Sequence, residues 1–342
     1  MKILVTGAAG FFGEIIAEDL TSRGHDVIGI DRLDQRHATS FHFHQADIRD
    51  ESSLTLIFSK FKPQAVIHAA AVLAHERPSE EDLWTSNVDG TGILTDIAIQ
   101  FGCESLVFLS SNCLWANEFH VPVTEQEPPA PIEIYGKSKL EGERILLTRA
   151  NQIRVVIMRS PTIVSAGRLG LLGILFQFIE EGRRVYVVGS GNNRYQFVYA
   201  PDYCDAISKM LEAKISGVYN VGSMDVPRMA DSFQYVIDQT KSQSRLVRIP
   251  LGITIFLLRI LHTLRISPLG PYQYRMIASS FEFDTSKIQS ATNWRPTKTN
   301  NEMLLEAFQY YQANKASTQD STASAHNRVA RGGLIDLLRR LS

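Results

Sequence analysis

The first 31 residues constrain the fold more than any other stretch. MKILVTGAAGFFGEIIAEDLTSRGHDVIGID reads as strand, glycine turn, helix and strand. The opening KILVT is short, apolar and rich in β-branched residues, as a buried parallel strand requires. In the following helix Ile15, Ile16 and Leu20 keep helical spacing, and Gly24 stands where that helix would stop. Gly7, Gly10 and Gly13 lie between strand and helix. Glycines there turn the chain tightly, let backbone N–H groups approach a pyrophosphate, and let helix pack on strand. The helix N-terminus then favours phosphate charge. The pattern assigns Gly7, Gly10, Phe11, Phe12 and Gly13 to a dinucleotide. Asp31 ends the second strand, where a carboxylate accepts hydrogen bonds from ribose hydroxyls and repels a 2′-phosphate, favouring NAD over NADP. Arg32 beside it, also expected at the cofactor, acts against that preference.

Strands and helices keep alternating. FHFHQADIRD predicts a strand ending at Asp47, SSLTLIFSKF a helix, and PQAVIHAAAV a strand running into small residues. TSNVDGTGILTDIAIQFG predicts a helix and SLVFLSS a further strand. Alternation of this kind means a doubly wound parallel α/β sheet, with ligand over the carboxyl ends of the strands. Asp47, Ile48, Ala69, Ala70, Ala71, Ser110 and Ser111 all fall at or just beyond such ends.

Composition narrows the classes. A formal charge of −1, 44% hydrophobic and 21% charged residues describe a soluble globular protein, with no basic excess for nucleic acid. Cys103, Cys113 and Cys204 form neither metal spacing nor a disulfide framework, which points to a reducing compartment and a cytoplasmic location. MKILVTGAAG carries no signal-peptide pattern. The most apolar stretch, 251–266, is broken by Arg259, His262 and Arg265 and should not span a bilayer.

Six motifs occur in order: TGAAGFFG, DI at 47–48, HAAA at 68–71, NVDGT at 87–91, SS at 110–111 and YGKSK at 135–139. By these residues the chain resembles the extended short-chain dehydrogenase/reductases, in the branch of NAD-dependent nucleotide-sugar epimerases and dehydratases, over residues 1–312. The resemblance implies a Rossmann domain over 1–160, with 197–222 returning to it, and a smaller, interleaved substrate domain over 161–312. It adds Asn87 and Pro161 to the cofactor contacts.

Hydride transfer at a secondary alcohol needs a base for the hydroxyl proton. A free tyrosine titrates too high, and a nearby cation lowers it. Tyr135 and Lys139 are four apart and share a helix face, whereas Lys137 points away. By the resemblance, Tyr135 is the base, Lys139 also bonds the nicotinamide ribose, and Ser111 rather than Ser110 is the catalytic serine. Ser110 remains a cofactor contact, and Ser111 and Asn112 are expected at the substrate. The 4,6-dehydratases carry an Asp-Glu pair where this chain has Asn112 and Cys113. Neither replacement supplies the acid that eliminates water, so dehydration is disfavoured.

In the second half, IRVVIMRSPTIVSAG predicts a strand and a loop that resembles the family's opening of the substrate domain, with Thr162 where asparagine is usual. The family's diphosphate-binding arginine falls on Tyr195, with Arg194 adjacent and Arg275 as a second candidate. Segment 251–266 predicts a buried helix or a subunit contact, against the alternative of an apolar-substrate pocket or a membrane surface. Residues 313–332 are polar and linker-like, and 333–342 form a short amphipathic helix that must dock on protein or on an anionic membrane surface. The function expected is NAD-dependent 4-epimerisation of a nucleotide sugar through a keto intermediate, by a homodimer. The alternative is net oxidation or reduction of a hydroxyl or keto group on a sugar, sterol or lipid-like substrate.

Overall fold

A computed structural model describes residues 1–35, 37–73, 79–169, 172–263 and 271–314. The expected helix at 333–342 and nearly all of the linker before it lie outside the described residues. So does Arg265.

In chain order the elements are β1 (Lys2–Thr6), α1 (Phe11–Ser22), β2 (Asp26–Asp31), β3 (His42–Gln45), α2 (Glu51–Phe61), β4 (Ala65–His68), α3 (Glu80–Trp84), α4 (Gly90–Gln100), β5 (Ser105–Ser111), α5 (Ile134–Thr148), β6 (Arg154–Ser160) and β7 (Thr162–Val164). They continue with α6 (Leu172–Glu180), β8 (Arg184–Val188), β9 (Phe197–Tyr199), α7 (Ala200–Ala213), β10 (Gly217–Asn220), α8 (Met229–Gln239), β11 (Arg245–Ile249), α9 (Leu251–Thr263), α10 (Pro271–Met276), α11 (Ser286–Thr292) and α12 (Asn300–Ala313).

Seven strands form one parallel sheet in the order β10-β6-β5-β4-β1-β2-β3. Alternation along each strand explains the helices on both faces. Ile3, Val5, Ile67, Val107 and Val156 pack with residues of α1 and α7 on one side. Leu4, Val66, Leu106, Phe108 and Ile157 pack with residues of α2 and α4 on the other. The chain reverses direction across the sheet between β1 and β4, the switch point where such sheets bind ligand.

Two local expectations change. The strand expected to end at Asp47 stops at Gln45. The Ala46 N–H still bonds the Asp31 carbonyl at 2.8 Å, but the chain then turns, with the Asp50 N–H on the Asp47 carbonyl. The helix expected from Thr85 starts earlier, at Glu80, and passes through a π-helical turn at Thr85–Asp89 before α4. Such turns are frequent at functional sites, and this one carries Asn87.

A second layer lies beyond β6. The parallel pairs β7-β9 and β8-β11 pack with α6, α8 and α12 around Phe176, Phe197, Val236 and Phe308. Leu114, Trp115, Phe281 and Phe283 form a separate aromatic cluster. Helix α9 departs from the buried reading: Leu251, Ile253, Phe256 and Ile260 are exposed, while Leu258 is buried. Among the described residues, no helix is long and apolar enough to cross a membrane.

His68 at the end of β4 shows how the centre of the sheet is tied. The Ala70 N–H donates to the Thr6 hydroxyl at 3.1 Å. The Thr91 hydroxyl donates to the Asn87 carbonyl at 2.7 Å. His68 Nδ1 lies 2.8 Å from Thr6 Oγ1 and Nε2 lies 2.9 Å from Thr91 Oγ1. The directions then follow: Thr6 donates to Nδ1, and Nε2–H donates to Thr91, so the imidazole is neutral. Burial, with Lys139 adding to it, pushes its pKa down to about 3. A base with a depressed folded pKa supports folding above its unfolded value and loses that support as pH falls. Stability is therefore expected to drop as pH falls from about 6.5 toward 3, by up to about 1.4 kcal/mol per pH unit from this residue. Urea unfolding against pH checks this, with His68→Gln giving a dependence shallower by about one proton.

Candidate active site

The glycine turn after β1 is packed too closely for side chains. A Cβ on Gly13 would sit 1.9 Å from the Gly7 carbonyl oxygen, and one on Gly7 (φ +75°) 2.7 Å from the Ala70 nitrogen. Gly7, Gly10 and Gly13 thus hold the turn against Ala69 and Ala70 at the end of β4. Gly10 is the N-cap of α1 and no side chain caps that helix, so its first turn presents backbone N–H groups. Phe11 and Phe12 follow, both buried. Phe12 stacks on Tyr203 with ring centroids 4.7 Å apart, so its ring serves the core and only its backbone faces the turn.

Asp31 braces the same turn. One carboxylate oxygen accepts the Ala9 N–H at 3.1 Å and the other the Leu33 N–H at 2.9 Å. Burial nevertheless raises its pKa, the backbone donors opposing that shift. Arg32 is drawn to Asp82 at 3.2 Å. Arg49 grips Asp47 at 2.6 Å and Asp82 at 2.8 Å, and its hydrogen bond holds the Asp47 carboxyl below the usual range. Ile48 is buried against Gly90.

Two expected cofactor contacts are engaged elsewhere. The Asn87 amide accepts the Val72 N–H at 2.7 Å and donates to the Val72 carbonyl at 3.0 Å and to Ser138 Oγ at 3.1 Å. It ties the loop beyond Ala71 to α5. The Ser110 hydroxyl donates to Glu143 at 2.5 Å inside the protein. Ser111, one residue on and on the opposite face of β5, is half-buried, and its Oγ accepts the Cys113 N–H at 3.1 Å. Strand alternation thus separates the two serines.

Helix α5 starts against this strand end. A Cβ on Gly136 would lie 2.3 Å from the Cys113 carbonyl oxygen, so glycine there lets the start of α5 close onto Cys113, the residue that then acts on the Tyr135 phenol. Lys137 is exposed and Lys139 buried, as helical spacing required. The Lys139 ammonium donates to the Leu109 carbonyl at 2.8 Å and sits 4.6 Å above the Phe108 ring. Burial lowers its pKa to about 8, with Glu143 pulling the other way. The Tyr135 phenol behaves differently from the expectation. Burial pushes it well above its ordinary value, Cys113 and Tyr203 add to this, and the cation that pulls it down is Arg168 rather than Lys139. The reason is geometric, because the Lys139 charge is directed at β5.

Arg168 escaped the sequence reading. It follows Gly167 (φ +85°) in the loop after β7, and its guanidinium lies 5.5 Å from the Phe11 ring centre. It therefore joins the glycine turn to the phenol, and burial lowers its pKa to about 10. Only the unbroken SAGRLG run hinted at a tight loop there.

The far wall comes from the second layer. Asn112 Nδ2 donates to the Tyr195 hydroxyl at 2.8 Å, and Tyr195 also meets Thr162 and Tyr272. Pro161 links β6 to β7 beside Thr162. The two candidate arginines stand outside this wall. Arg194 is exposed, donates to the Val226 carbonyl and lines a separate surface hollow with Phe119 and Glu282. The bridges Arg194–Arg228 and Tyr195–Phe281 make this stretch extended, so neighbouring side chains point oppositely. Arg275 is exposed at the end of α10. Among the described residues no group of His, Cys, Asp and Glu could hold a metal.

The tight turn, the presented N–H groups of α1 and the braced Asp31 suit a dinucleotide. Gly13→Ala forces the turn open. The purified variant is expected to retain at least about tenfold less nucleotide than the parent, read by chromatography of the denatured protein.

Comparison with known proteins agrees with this geometry. The sequence model described as the NAD dependent epimerase/dehydratase family matches residues 3–222. An uncharacterized protein, y4nG, of Sinorhizobium fredii is 34% identical over 340 residues, 98% of this chain and 85% of that one. The UDP-glucose 4-epimerase of Mycolicibacterium smegmatis is 30% identical over 225 residues, 60% of this chain and 72% of that one. The crystal structure of the Thermotoga maritima UDP-glucose 4-epimerase with UDP-glucose superposes with a TM-score of 0.77 at 23% identity, covering 92% of this chain and all of that one.

Proposed function

The chain belongs to the NAD-dependent epimerase/dehydratase family, and from that premise we propose that it 4-epimerises a nucleotide sugar. NAD is its cofactor and its substrate is a small molecule. One observation supports the reading: α5, which carries Tyr135, is packed through Gly136 onto Cys113 just beyond Ser111 and is tied by Lys139 to the Leu109 carbonyl of β5. Relatives named UDP-glucose 4-epimerase make UDP-glucose the first substrate to test. No feature of the site favours net oxidation over epimerisation.

NAD, when bound, supplies the group that takes hydride from the sugar carbon and returns it, so no net oxidation remains. The residues manage the proton. Tyr135 accepts it from the sugar hydroxyl as the keto group forms and gives it back on return. Ser111 donates to the same oxygen and keeps it near the phenol. Lys139, anchored on the Leu109 carbonyl, holds the nicotinamide ribose. Arg168 stabilises the phenolate against the burial that opposes it. Asp31 and the glycine turn hold the adenosine end, with residues 1–160 and 197–222 serving the cofactor and 161–312 the sugar. The homodimer and cytoplasmic location expected from sequence belong to the same proposal.

Tyr135→Phe is expected to lower the epimerisation rate about 10²- to 10⁴-fold, with folding intact. Because the phenol is raised and acts deprotonated, the parent rate should climb with pH across the neutral and basic range. Arg168→Met should move that limb to higher pH. Conversion between UDP-glucose and UDP-galactose, followed by chromatography at several pH values, checks all three. If the parent enzyme converts no UDP-, GDP- or dTDP-sugar, the reading fails.

A further inference from the structure

Helix α9 turns an apolar stripe outward. Ile253, Phe256 and Ile260 follow helical spacing along one side of it and are exposed, Phe256 by 64% and Ile253 by 58%. Every other phenylalanine of the chain is buried or half-buried, so Phe256 departs from how this sequence treats that side chain. Leu258, on the opposite side, is buried and fixes which way the helix faces. The patch continues past the helix. A Cβ on Gly189 would meet Leu251 at 3.9 Å and Ala278 at 3.7 Å, so the start of α9 lies beside the chain leaving α10. Leu251 and Ile277 are both exposed there. Helix α10 packs on α9 and carries Tyr272 inward to Tyr195, so this face adjoins the substrate side of the molecule.

Charge says what would cover it. The whole chain balances 35 basic against 36 acidic residues, yet no Asp or Glu occurs between Asp238 and Glu282, where six Lys and Arg do. Of these, Arg248 just before α9, Arg259 within it and Arg275 at the end of α10 are exposed. Arg259 stands one turn on from Phe256, beside the stripe. A second copy seated here about a two-fold axis would set these arginines against themselves, with no carboxylate from the same stretch between them. An anionic lipid surface meets both halves of the pattern. Apolar side chains enter below the headgroups, and guanidinium groups take the lipid phosphates. At 13 residues α9 is too short to cross a bilayer and suits lying along one.

We propose that the exposed face of α9, with Ile277 beside it and Arg248, Arg259 and Arg275 around it, is a docking surface for an anionic phospholipid bilayer. The contact is peripheral. Phe256 and Ile253 supply the apolar insertion, and the arginines supply an attraction that salt screens. It leaves the catalytic residues untouched and does not depend on which sugar they act on. Its effect is to hold the substrate side of the molecule against the membrane surface.

The test is sedimentation of the full-length protein with two kinds of vesicle, phosphatidylcholine alone and phosphatidylcholine with about 30% phosphatidylglycerol. The parent should pellet with the anionic vesicles and not with the neutral ones, and added salt should release it. The double variant Ile253→Ser, Phe256→Ser should partition at least about tenfold more weakly, with its unfolding midpoint and its oligomeric mass by light scattering unchanged. Arg248→Gln with Arg259→Gln, which keeps the apolar stripe, should also lose about tenfold. A parent that pellets with neither vesicle, or equally with both, overturns the proposal. So does either variant that binds like the parent, since the lipid contact then lies elsewhere in the chain. A lowered midpoint in the Ile253→Ser, Phe256→Ser variant makes the stripe part of the fold, and a fall in its oligomeric mass assigns the face to a second copy; each overturns the proposal as well.

Discussion

The site depends on a buried ion pair behind it. Arg159 of β6 grips the Glu143 carboxylate of α5 with Nε at 3.0 Å and Nη2 at 2.7 Å, and the Ser110 hydroxyl of β5 joins at 2.5 Å. Arg159 also donates to the Glu125 carbonyl at 3.2 Å and lies against the Trp115 ring. Both partners are almost fully buried. Removing one partner of such a pair typically costs about 3–5 kcal/mol, because the other charge is stranded. Its net contribution against an apolar replacement is far smaller, so its value here is positional. It fixes the three elements that carry Ser111, Tyr135, Lys139 and, just beyond β6, Thr162. Glu143 also lies one turn beyond Lys139 and favours its ammonium form against burial. One carboxylate therefore sets both the place of α5 and the charge of its lysine.

The other half of the site is held by neutral contacts. The glycine turn is pressed onto Ala69 and Ala70, and the Thr6–His68–Thr91 chain runs beneath it from β1 to α4. Every donor in that chain has its acceptor, so no charge is needed under the place where phosphates would sit. A charged imidazole there would lose the Thr6 bond and add a cation close to Lys139. Division into a neutral floor and a charged brace keeps the two supports from perturbing each other.

Much of this was legible because it rests on short periods. Helical spacing distinguishes Lys139 from Lys137, whereas Ser111 is set apart from Ser110 by resemblance to the family, and the structure then puts the two on opposite faces of β5. The strand, turn, helix and strand of residues 1–31 announce the parallel sheet. What was not legible depends on distant partners. Arg168 meets Phe11 across the cleft from 157 residues away in sequence, and no local pattern records that. Asn87 looks like a polar residue near a ligand until Val72 and Ser138 claim its amide. The apolar run at 251–263 reads as buried by composition, yet Ile253, Phe256 and Ile260 are exposed in the single chain. Apolarity records a preference for burial and is silent on which surface supplies it.

Position 195 shows why the family pattern does not transfer by neighbour. An arginine one residue away is no substitute, since the extended backbone turns Arg194 outward and Tyr195 inward. That backbone has no slack. Gln196 donates to the Ser223 carbonyl at 2.7 Å and accepts the Phe283 N–H at 2.9 Å, and a Cβ on Gly222 would collide with its amide. A one-residue shift would break this clamp along with the Tyr195–Phe281 bridge. Nor would arginine placed at 195 simply restore the pattern. It would enter a pocket where Asn112, Thr162, Cys113 and Tyr272 offer no counter-charge, and a buried cation needs one. The phenol at 195 and the neutral groups around it are thus one choice, and any diphosphate of the substrate must find its charge partner outside this wall.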